Sequence, residues 1–573
     1  MKKKRFAAAA LASVMAVAGL AGCGTENPAK TDNKTAVSDN QPVDESGSPS
    51  PFGKYKEPVT VEIIRSVNPT RAIPEGESTT DNYYTRYVKD NINIDIKLKW
   101  QSSVSDFSQK VNLAIASNDL PDVMVVGRQE FKKLLNSDLI EDLTPYYDTY
   151  ASDIVKKNID STDGKAMEAV TIDGKMYAIP GVIMEDEGYN LMWIRQDWLD
   201  KLDLEAPTTV EEVERVAKAF VDNQMGGENT IGLLGPTVNG AMYNHFLSPI
   251  GNTCGMDGIF QAYQSWPGFW IEGEDGKAIY GSTTPETKKA LGKLQEMYKS
   301  GILDQELGVR KSSGEAWKSG KAGIMFSAWW HGYSVLDAIA NDPEADWKAY
   351  PGPLAEDGKW YAKLGTPTEV YLVVRKGFEH PEAAFLLTNF LRRDEGKMTD
   401  ETKLAIEFYP GRVTIAPNDE CVYTTSALRK YMNGEEIPEY DPSYYKLLDK
   451  DLDSLKTGVK KEPYDDMSIG TWDTQHPNFG RVYSMLIGAG AILDAQEKGI
   501  VNKVFSLCYE QTPAMEKKWA NLKKKEDEVF LKIMIGEAPL DSFDTFVEEW
   551  KAEGGDEITQ EVQELIDNFS ESQ

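Results

Sequence analysis

The sequence has few of the residues on which metal and redox chemistry depend. Its 573 residues include only four cysteines and four histidines. Cys254, Cys421 and Cys508 show no CxxC spacing; at most one pair can form among them, and neither a zinc site nor a disulfide framework is indicated. The histidines form no HExxH pattern, and no GxSxG marks a serine nucleophile. We therefore expect no metal, no cofactor and no catalytic residue.

Phosphate and calcium loops are also missing. Residues 314–321, GEAWKSGK, resemble a phosphate-binding loop, but they have one residue too many between the glycines. Ala322 follows where a Ser or Thr would hold magnesium. No segment carries the Asp/Asn ladder with glycine at the sixth position that marks a calcium loop.

Positive charge is scarce. The chain has 62 Lys and Arg against 92 Asp and Glu, a formal charge of −30. Removal of the first 22 residues, which contain four basic and no acidic side chains, leaves −34. Such a surface repels nucleic acid and anionic lipid, and no basic patch with interleaved aromatics is present, so nucleic-acid binding is excluded.

No apolar run reaches the roughly 20 residues that cross a bilayer as a helix. The longest, residues 6–21, follows the basic stretch MKKKR and predicts an export signal over residues 1–22. The signal is followed by Cys23, and the four residues LAGC (20–23) resemble the lipobox of bacterial lipoproteins. In that family the cysteine receives a diacylglyceryl group. Two acyl chains suffice for stable anchoring. The resemblance implies lipidation of Cys23; a plain secretory signal is the alternative.

Large apolar side chains are rare in the next stretch too. Residues 23–57 are rich in Ser, Thr, Asn, Asp and Pro. Such a segment buries too little surface to offset its ordering entropy, so we predict a disordered tether. Its mean reach would be about 30 to 35 Å.

What remains, about 515 residues, exceeds a single hydrophobic core and indicates two or more lobes. Residues 59–67 and 92–100 alternate like strands, and VMVV at residues 123–126 resembles a buried strand. Helical patterns lie between them, and this β-α-β-α-β order predicts a parallel sheet with helices on both faces.

Two arginines stand at the ends of these predicted strands. Ligands of parallel α/β sheets bind outside the carboxyl ends of the strands. Arg65 and Arg128 are therefore candidates for ligand contact, with a solvated surface arginine as the alternative for each.

A second lobe is predicted after Asp173. Asp173 and Gly174 separate two short β-like runs, which indicates a hairpin. Thr208 and Glu211 then form a capping box before a helix whose inner face is Val213, Val216, Ala217 and Phe220. Helices at the C-terminus present two further apolar faces: Phe543, Phe546, Val547 and Trp550, then Ile558, Val562, Leu565, Ile566 and Phe569.

Six segments in order resemble the family 1 extracellular solute-binding proteins. These are the lipoproteins of Gram-positive carbohydrate ABC importers, distant relatives of maltodextrin-binding protein. No single motif is decisive, but six in order behind a lipobox are specific to the family. The segments are LPDV (120–123), DGKMYAIP (173–180), WIRQDWLDKL (193–202), GKAGIMFSAWW (320–330), KGFEHPEAAFLLTNFL (376–391) and KIMIGEAPLDSFDTFVEEWKAEGGDEI (532–558).

The resemblance implies an α/β, periplasmic-binding-protein-like fold. Two α/β lobes would be joined by hinge strands and would close on a ligand, with an extended helical region at the C-terminus. The N-terminal lobe would be discontinuous. Its predicted parts are residues 58–180 and 367–440, and those of the C-terminal lobe are 181–366 and 441–573.

Aromatic side chains are plentiful, with 13 Trp and 26 Tyr. An aromatic ring can cover the apolar face of a sugar while Asp, Glu, Asn and Arg bond its hydroxyls. By the resemblance, SAWW aligns with a strand end that carries a ligand-stacking tryptophan in maltodextrin-binding relatives. This favours Trp329 or Trp330, and alternation along a strand would let only one of them face the cleft.

Further candidates for ligand contact lie near the expected hinges or in aromatic clusters. For most of them core packing is the alternative. They are Trp193 and Arg195 just past the first crossing, Trp270 in SWPGFW, Glu369 in the returning segment, and Trp472 in GTWDTQHPNFG.

These observations predict a lipid-anchored extracellular binding protein. It would be a monomer that captures an oligosaccharide or related solute between its lobes and delivers it to ABC importer permeases. The alternatives are a surface carbohydrate-active enzyme and a sugar-sensing receptor subunit. Carboxylate pairs such as Glu185 and Asp186 arise by chance among 92 acidic residues and do not indicate hydrolysis. Arg65, Arg128 and Arg195 hint at an acidic sugar, but arginine also bonds neutral hydroxyls, so the ligand stays open.

Overall fold

A computed structural model describes residues 40–571 except 69–72, 238–239 and 248–253. The predicted signal peptide, Cys23 and the first part of the predicted tether lie outside the described residues. Residues 40 onward belong to one compact unit. Among the described residues, no helix is both long enough and apolar enough to cross a membrane.

The strands are, in chain order, β1 Val59–Val67, β2 Ile94–Ser103, β3 Val123–Gly127, β4 Thr171–Ile172, β5 Lys175–Met176, β6 Ile179–Pro180, β7 Leu191–Arg195, β8 Ile231–Leu233, β9 Trp270–Glu272, β10 Ala278–Tyr280, β11 Ala322–Ser327, β12 Trp347–Tyr350, β13 Trp360–Leu364, β14 Val370–Val374 and β15 Val501–Phe505. The α-helices are α1 Tyr83–Ile92, α2 Val104–Ser117, α3 Arg128–Asn136, α4 Thr144–Tyr150, α5 Asp153–Asp160, α6 Lys165–Glu168, α7 Gln196–Lys201, α8 Val210–Asp222, α9 Asp257–Ala262, α10 Pro285–Lys299, α11 Ser313–Lys318, α12 Val335–Asn341, α13 Ala383–Glu401, α14 Glu420–Met432, α15 Leu448–Lys456, α16 Phe479–Tyr483, α17 Gly490–Glu497, α18 Pro513–Met534, α19 Ser542–Trp550 and α20 Asp556–Glu571.

The first lobe is built on a five-stranded sheet in the order β2-β1-β3-β14-β6. Strand β1 pairs parallel with β2 and β3, as the β-α-β-α-β order predicted. Strand β14 runs antiparallel to β3, with Val370 opposite Gly127. The carboxyl ends of β1, β2 and β3 and the start of β14 therefore share one edge of the sheet.

The second lobe is built on a four-stranded sheet in the order β12-β7-β11-β8. Met192 and Ile194 belong to one hydrophobic core, whereas Leu191 and Trp193 belong to another. Because side chains alternate along a strand, these two cores lie on opposite faces of the sheet. A third core is drawn only from residues 55–182 and 371–415 and belongs to the first lobe. The predicted lobe boundaries remain predictions.

Local signals in the sequence place several elements correctly. Asp173 and Gly174 have φ values of 51° and 72° in the turn between β4 and β5, as an Asp-Gly hairpin requires. The cap of α8 lies one residue later than predicted: Thr209 Oγ1 accepts from the Glu212 backbone N–H, and Thr208 donates to the Glu212 carboxylate. The predicted inner face of α8 is buried.

The C-terminal helices also follow the predicted faces. Phe543, Phe546, Trp550, Ile558 and Val562 are buried in the core that contains Met192. Gly554 has a φ of 136°, which lets the chain turn between α19 and α20.

The segment before β1 differs from the prediction of a disordered tether. Residues 40–57 pack on the first lobe, where Tyr55 is 2% exposed and donates a 2.9 Å hydrogen bond to Glu382 Oε1. Asn389 Nδ2 donates to the Pro51 carbonyl at 2.7 Å, and the Phe52 ring meets the edge of Phe390. Composition led us to underestimate the order of this stretch, because the packing of only two aromatic side chains, Phe52 and Tyr55, holds it on the first lobe.

Candidate binding site

Three segments connect the lobes side by side, at residues 181–190, 365–370 and 410–420. The backbone N–H of Gly181 donates to Val370 O at 2.9 Å, and that of Val182 donates to Thr414 O at 2.8 Å. A Cβ at position 181 would lie 2.6 Å from Cγ2 of Val370, so this close approach requires glycine. The crossing is a hydrogen-bonded bundle at the carboxyl edge of the first sheet.

A cavity of 1270 Å³ lies beside this bundle, with walls from both lobes. Ligand cavities usually measure about 300 to 1,000 Å³, so this one has room for an oligosaccharide. The first-lobe wall comes from α2 and α3 and includes Phe107, Arg128, Glu130 and Lys132. The second-lobe wall includes His245, Phe246, Lys363, Tyr509, Glu516 and Glu564. Thr366 and Glu369 of the crossing segment also line it.

Arg128 begins α3 and joins three parts of the cavity wall. Its Nη1 donates to Tyr509 O at 2.7 Å, and its Nη2 donates to Thr368 O at 2.8 Å. The guanidinium also lies 5.8 Å from the centre of the Tyr509 ring. One turn further along α3, Lys132 forms an ion pair with Glu510. Both contacts cross from the first lobe to the loop after β15.

Lys363, at the end of β13, is fully buried behind the cavity. Its ammonium donates to Asp257 Oδ1 at 2.9 Å, to Asn244 O at 2.6 Å and to Pro267 O at 2.7 Å. Burial lowers the pKa of Lys363, and the Asp257 carboxylate opposes this effect. Burial also lowers the pKa of His245 to about 3, so this imidazole is neutral at physiological pH.

A second cluster lies where β11 ends. The chain does not continue as a strand there, because Trp329–Ser334 form a 3₁₀ helix. Trp329 is 4% exposed, while the partly buried Trp330 donates from Nε1 to Glu187 Oε2 at 2.8 Å. Tyr333, 45% exposed, meets the edge of Trp329. Burial raises the pKa of Glu187, and the hydrogen bond from the Trp330 indole opposes this rise.

Residues 73–398 match the family of bacterial extracellular solute-binding proteins. The chain belongs to this family.

Individual relatives of this solute-binding protein are distant. It is 24% identical over 487 residues to the polygalacturonan/rhamnogalacturonan-binding protein YtcQ of Bacillus subtilis. That match covers 80% of this chain and 82% of YtcQ. It is 26% identical over 261 residues to Lipoprotein LipO of the same organism. That match covers 44% of this chain and 48% of LipO, so the chain spans about half the length of this relative.

A solved structure shares the fold. It is an HMO-binding, ABC-transporter-associated solute-binding protein from Bifidobacterium longum infantis. The TM-score is 0.59 at 15% identity, over 90% of this chain and 99% of that one. The predicted α/β fold of the periplasmic binding proteins is thereby confirmed.

Three of the tryptophans predicted to contact ligand are core residues of this solute-binding protein. Trp193 is fully buried on one face of β7, and its Nε1 donates to Ala328 O at 3.1 Å. Trp270 is fully buried beside Tyr280 and Trp550. Trp472 is 4% exposed beneath Tyr483. These placements correct the predictions, since none of the three rings is accessible to a ligand in this conformation.

Two of the predicted arginines are also internal. Arg195 is 1% exposed and forms ion pairs with Asp197 and Asp342, at 2.7 Å each. Arg65 donates to Thr79 O at 2.9 Å and to Phe408 O at 2.8 Å, and burial lowers its pKa to about 10. Both arginines hold the protein's own structure together, which corrects their assignment to the ligand.

The remaining candidates fall into two groups. Arg128 and Glu369 both line the cavity, whereas Trp329 and Trp330 both belong to the second cluster. Sequence reasoning passed over Glu187 and Tyr333. Two features of the sequence could have predicted them: Glu187 lies within a crossing segment, and Tyr333 lies one turn after Trp329.

Thiols and metal ligands contribute nothing to either group. Cys254, Cys421 and Cys508 are buried and unpaired with one another. In the part of the chain that the structure describes, no group of three or more His, Cys, Asp or Glu side chains is suited to hold a metal ion.

Proposed function

We propose that this solute-binding protein captures an oligosaccharide in the cavity between its lobes and delivers it to the permeases of an ABC importer. The observation that carries the proposal is the 1270 Å³ cavity, whose walls come from both lobes beside the crossing bundle. A ligand there would touch both lobes at once, so that its binding energy could favour the closed arrangement. The similarity to YtcQ, a polygalacturonan/rhamnogalacturonan-binding protein, and to the HMO-binding protein supports a carbohydrate as the ligand.

The cluster of Trp330, Tyr333 and Glu187 is proposed as a second ligand contact. An exposed phenol ring beside an indole offers a surface for a sugar face, and a carboxylate accepts bonds from sugar hydroxyls. Micromolar affinity needs about −8 kcal/mol. A stacked ring and several hydrogen bonds of about 1 kcal/mol each supply part of that value, and contacts with the cavity walls of both lobes supply the rest and offset the cost of association.

Binding without turnover separates this proposal from a surface enzyme. The adjacent carboxylates Glu185 and Asp186 each have a partner within the protein. Glu185 pairs with Lys503 at 2.6 Å, while Asp186 is buried and accepts from the Cys421 backbone N–H at 3.1 Å.

The test is a thermal-shift and calorimetric screen of the mature protein against plant and milk oligosaccharides, with chromatography of the sugar afterwards. Saturable binding with intact sugar supports the proposal. Cleavage of the sugar would replace it with the enzyme alternative, and binding without copurification of permeases from membranes would favour the receptor subunit.

Lipid anchoring at Cys23 is part of the same proposal. It rests on the lipobox, because Cys23 lies outside the described residues. Replacement by serine should release the protein from cell membranes into the medium, and retention of Cys23→Ser in the membrane fraction would contradict the anchor. Light scattering of the released protein tests the proposed monomer.

A further inference from the structure

Two of the cations that the structure describes along the cavity wall are neutralised by ion pairs. Lys132 pairs with Glu510, and Lys363 is fully buried against Asp257 and two carbonyls. Arg128 donates one N–H of each terminal nitrogen to a carbonyl oxygen, and Lys133 donates to Asn112 Oδ1 at 2.9 Å, so these two cations bond neutral groups and keep their charge. His245 adds no charge, since burial holds its pKa near about 3.

Carboxylates outnumber these cations along the wall. Glu130, Glu369, Glu516, Glu561 and Glu564 line the same cavity. Within the described residues, no Lys, Arg or His lies within ion-pair distance of Glu516, Glu561 or Glu564. Glu561 accepts from the Ala514 backbone N–H at 2.8 Å, and Glu564 accepts from Gln560 at 3.0 Å. Each of these carboxylates retains lone pairs for a further donor.

The chemistry of such a wall favours one kind of ligand. Recognition of a chain of uronate carboxylates needs Arg or Lys charge that the carboxylates of the wall do not outweigh, most effectively as bidentate Arg pairs. Sugar hydroxyls instead donate well to carboxylates. The whole-chain charge of −30 adds to the repulsion of a polyanion.

We infer that the cavity takes an uncharged oligosaccharide and rejects polyuronates. The inference rests on the proposed function, because it names the ligand class of the same cavity. It is consistent with the placement of Arg65 and Arg195, which hinted at an acidic sugar but are buried and bond to groups of the protein itself.

The experiment compares a charged sugar with an uncharged counterpart of the same chain length. The mature chain carrying Cys23→Ser is titrated calorimetrically with tetragalacturonic acid and with its fully methyl-esterified, uncharged counterpart. Nystose, galactotetraose and xylotetraose extend the uncharged set. We expect at least one uncharged probe to bind, with a Kd that changes less than about twofold between about 20 and about 300 mM NaCl. Tetragalacturonic acid should bind at least about a hundredfold more weakly than that probe.

Each outcome decides a different claim. If tetragalacturonic acid binds as tightly as the best uncharged probe, and binds more weakly in high salt, the inference is overturned while the proposed function stands. If neither charged nor uncharged sugars bind, the proposed function fails, and the ligand class inferred from it fails with it.

A variant locates the discrimination in the cavity wall. The double variant Glu516→Gln/Glu564→Gln should narrow the affinity ratio between the uncharged probe and tetragalacturonic acid by about tenfold, because two repulsive charges are gone. Glu548→Gln, on the exposed side of α19, is the matched control and should leave the ratio unchanged. An unchanged ratio in the double variant, with an unaltered melting temperature, would place the discrimination outside this wall.

Discussion

Trp330 and Glu187 are joined by a hydrogen bond across the hinge region. The indole Nε1 lies 2.8 Å from Glu187 Oε2, although the residues are 143 positions apart in the chain. Glu187 belongs to a crossing segment and Trp330 to the turn after β11. The bond therefore ties the end of a second-lobe strand to the connection between the lobes.

This bond should be measurable as a coupling energy. A hydrogen bond to a largely buried carboxylate contributes about 1.5 to 3 kcal/mol. Trp330→Phe and Glu187→Ala each remove one partner of the bond and should each destabilise the protein, and the double variant should lose less than the sum by about 1 to 2 kcal/mol. Denaturant unfolding of the three variants and the wild type gives this cycle. Additive losses would show that the two side chains act independently.

Asp186 should give the protein an unusual pH dependence. Burial raises its pKa to about 8 from a usual value near 3.8, and the charge of Glu185 adds to the rise. Between these two values the folded state holds a proton that the unfolded state has released, so this group's contribution to stability falls as pH rises. The slope is about 1.4 kcal/mol per pH unit.

Asp186→Asn keeps an acceptor for the Cys421 N–H but does not titrate. We therefore expect the melting temperature of the variant to rise relative to that of the wild type as pH increases from about 5 to about 7. Thermal unfolding at several pH values measures the difference. A constant difference across this window would contradict the raised pKa.

Patterns within short stretches predicted much of the fold. The alternation of β1 and β2, the Asp-Gly hairpin and the inner face of α8 depend on neighbours in sequence, so the chain itself reveals them. The same short-range logic failed at Trp329 and Trp330. The strand ends at Ser327, and the period changes to that of a 3₁₀ helix.

The ligand contacts were harder to predict because their partners are distant in sequence. Phe408, which accepts from Arg65, is 343 residues away, and the Tyr509 carbonyl is 381 residues from Arg128. No local pattern separates an arginine that faces a cleft from one that holds a loop. Trp193 and Trp270 were similarly ambiguous, since in a chain with 13 tryptophans an indole near a hinge is as easily a core residue.

Removing one partner of the buried Lys363–Asp257 pair should destabilise the protein strongly, whereas replacing both with apolar side chains should destabilise it little. Both side chains are fully buried, with the ammonium 2.9 Å from Asp257 Oδ1. Lys363→Met leaves a buried carboxylate without its cation and should cost about 3 to 5 kcal/mol. Lys363→Met/Asp257→Leu should recover much of the loss. Denaturant midpoints measure both, and a double variant less stable than Lys363→Met would contradict the interpretation.

The Lys132–Glu510 pair should bias the lobes towards the closed arrangement. It joins α3 to the loop after β15 beside the contact of Arg128 with Tyr509, and its side chains are 31% and 29% exposed. At such exposure a pair contributes about 0.2 to 1 kcal/mol, enough to shift an open-closed equilibrium up to about fivefold.

Lys132→Glu replaces attraction with repulsion and should increase the radius of gyration of the ligand-free protein in X-ray scattering. Lys132→Glu/Glu510→Lys should restore it. Lys133→Glu makes the same charge change one residue away, where the partner is Asn112 of the same lobe, and should leave the radius unchanged. Equal expansion in both single variants would mean that net charge, and not this pair, controls closure.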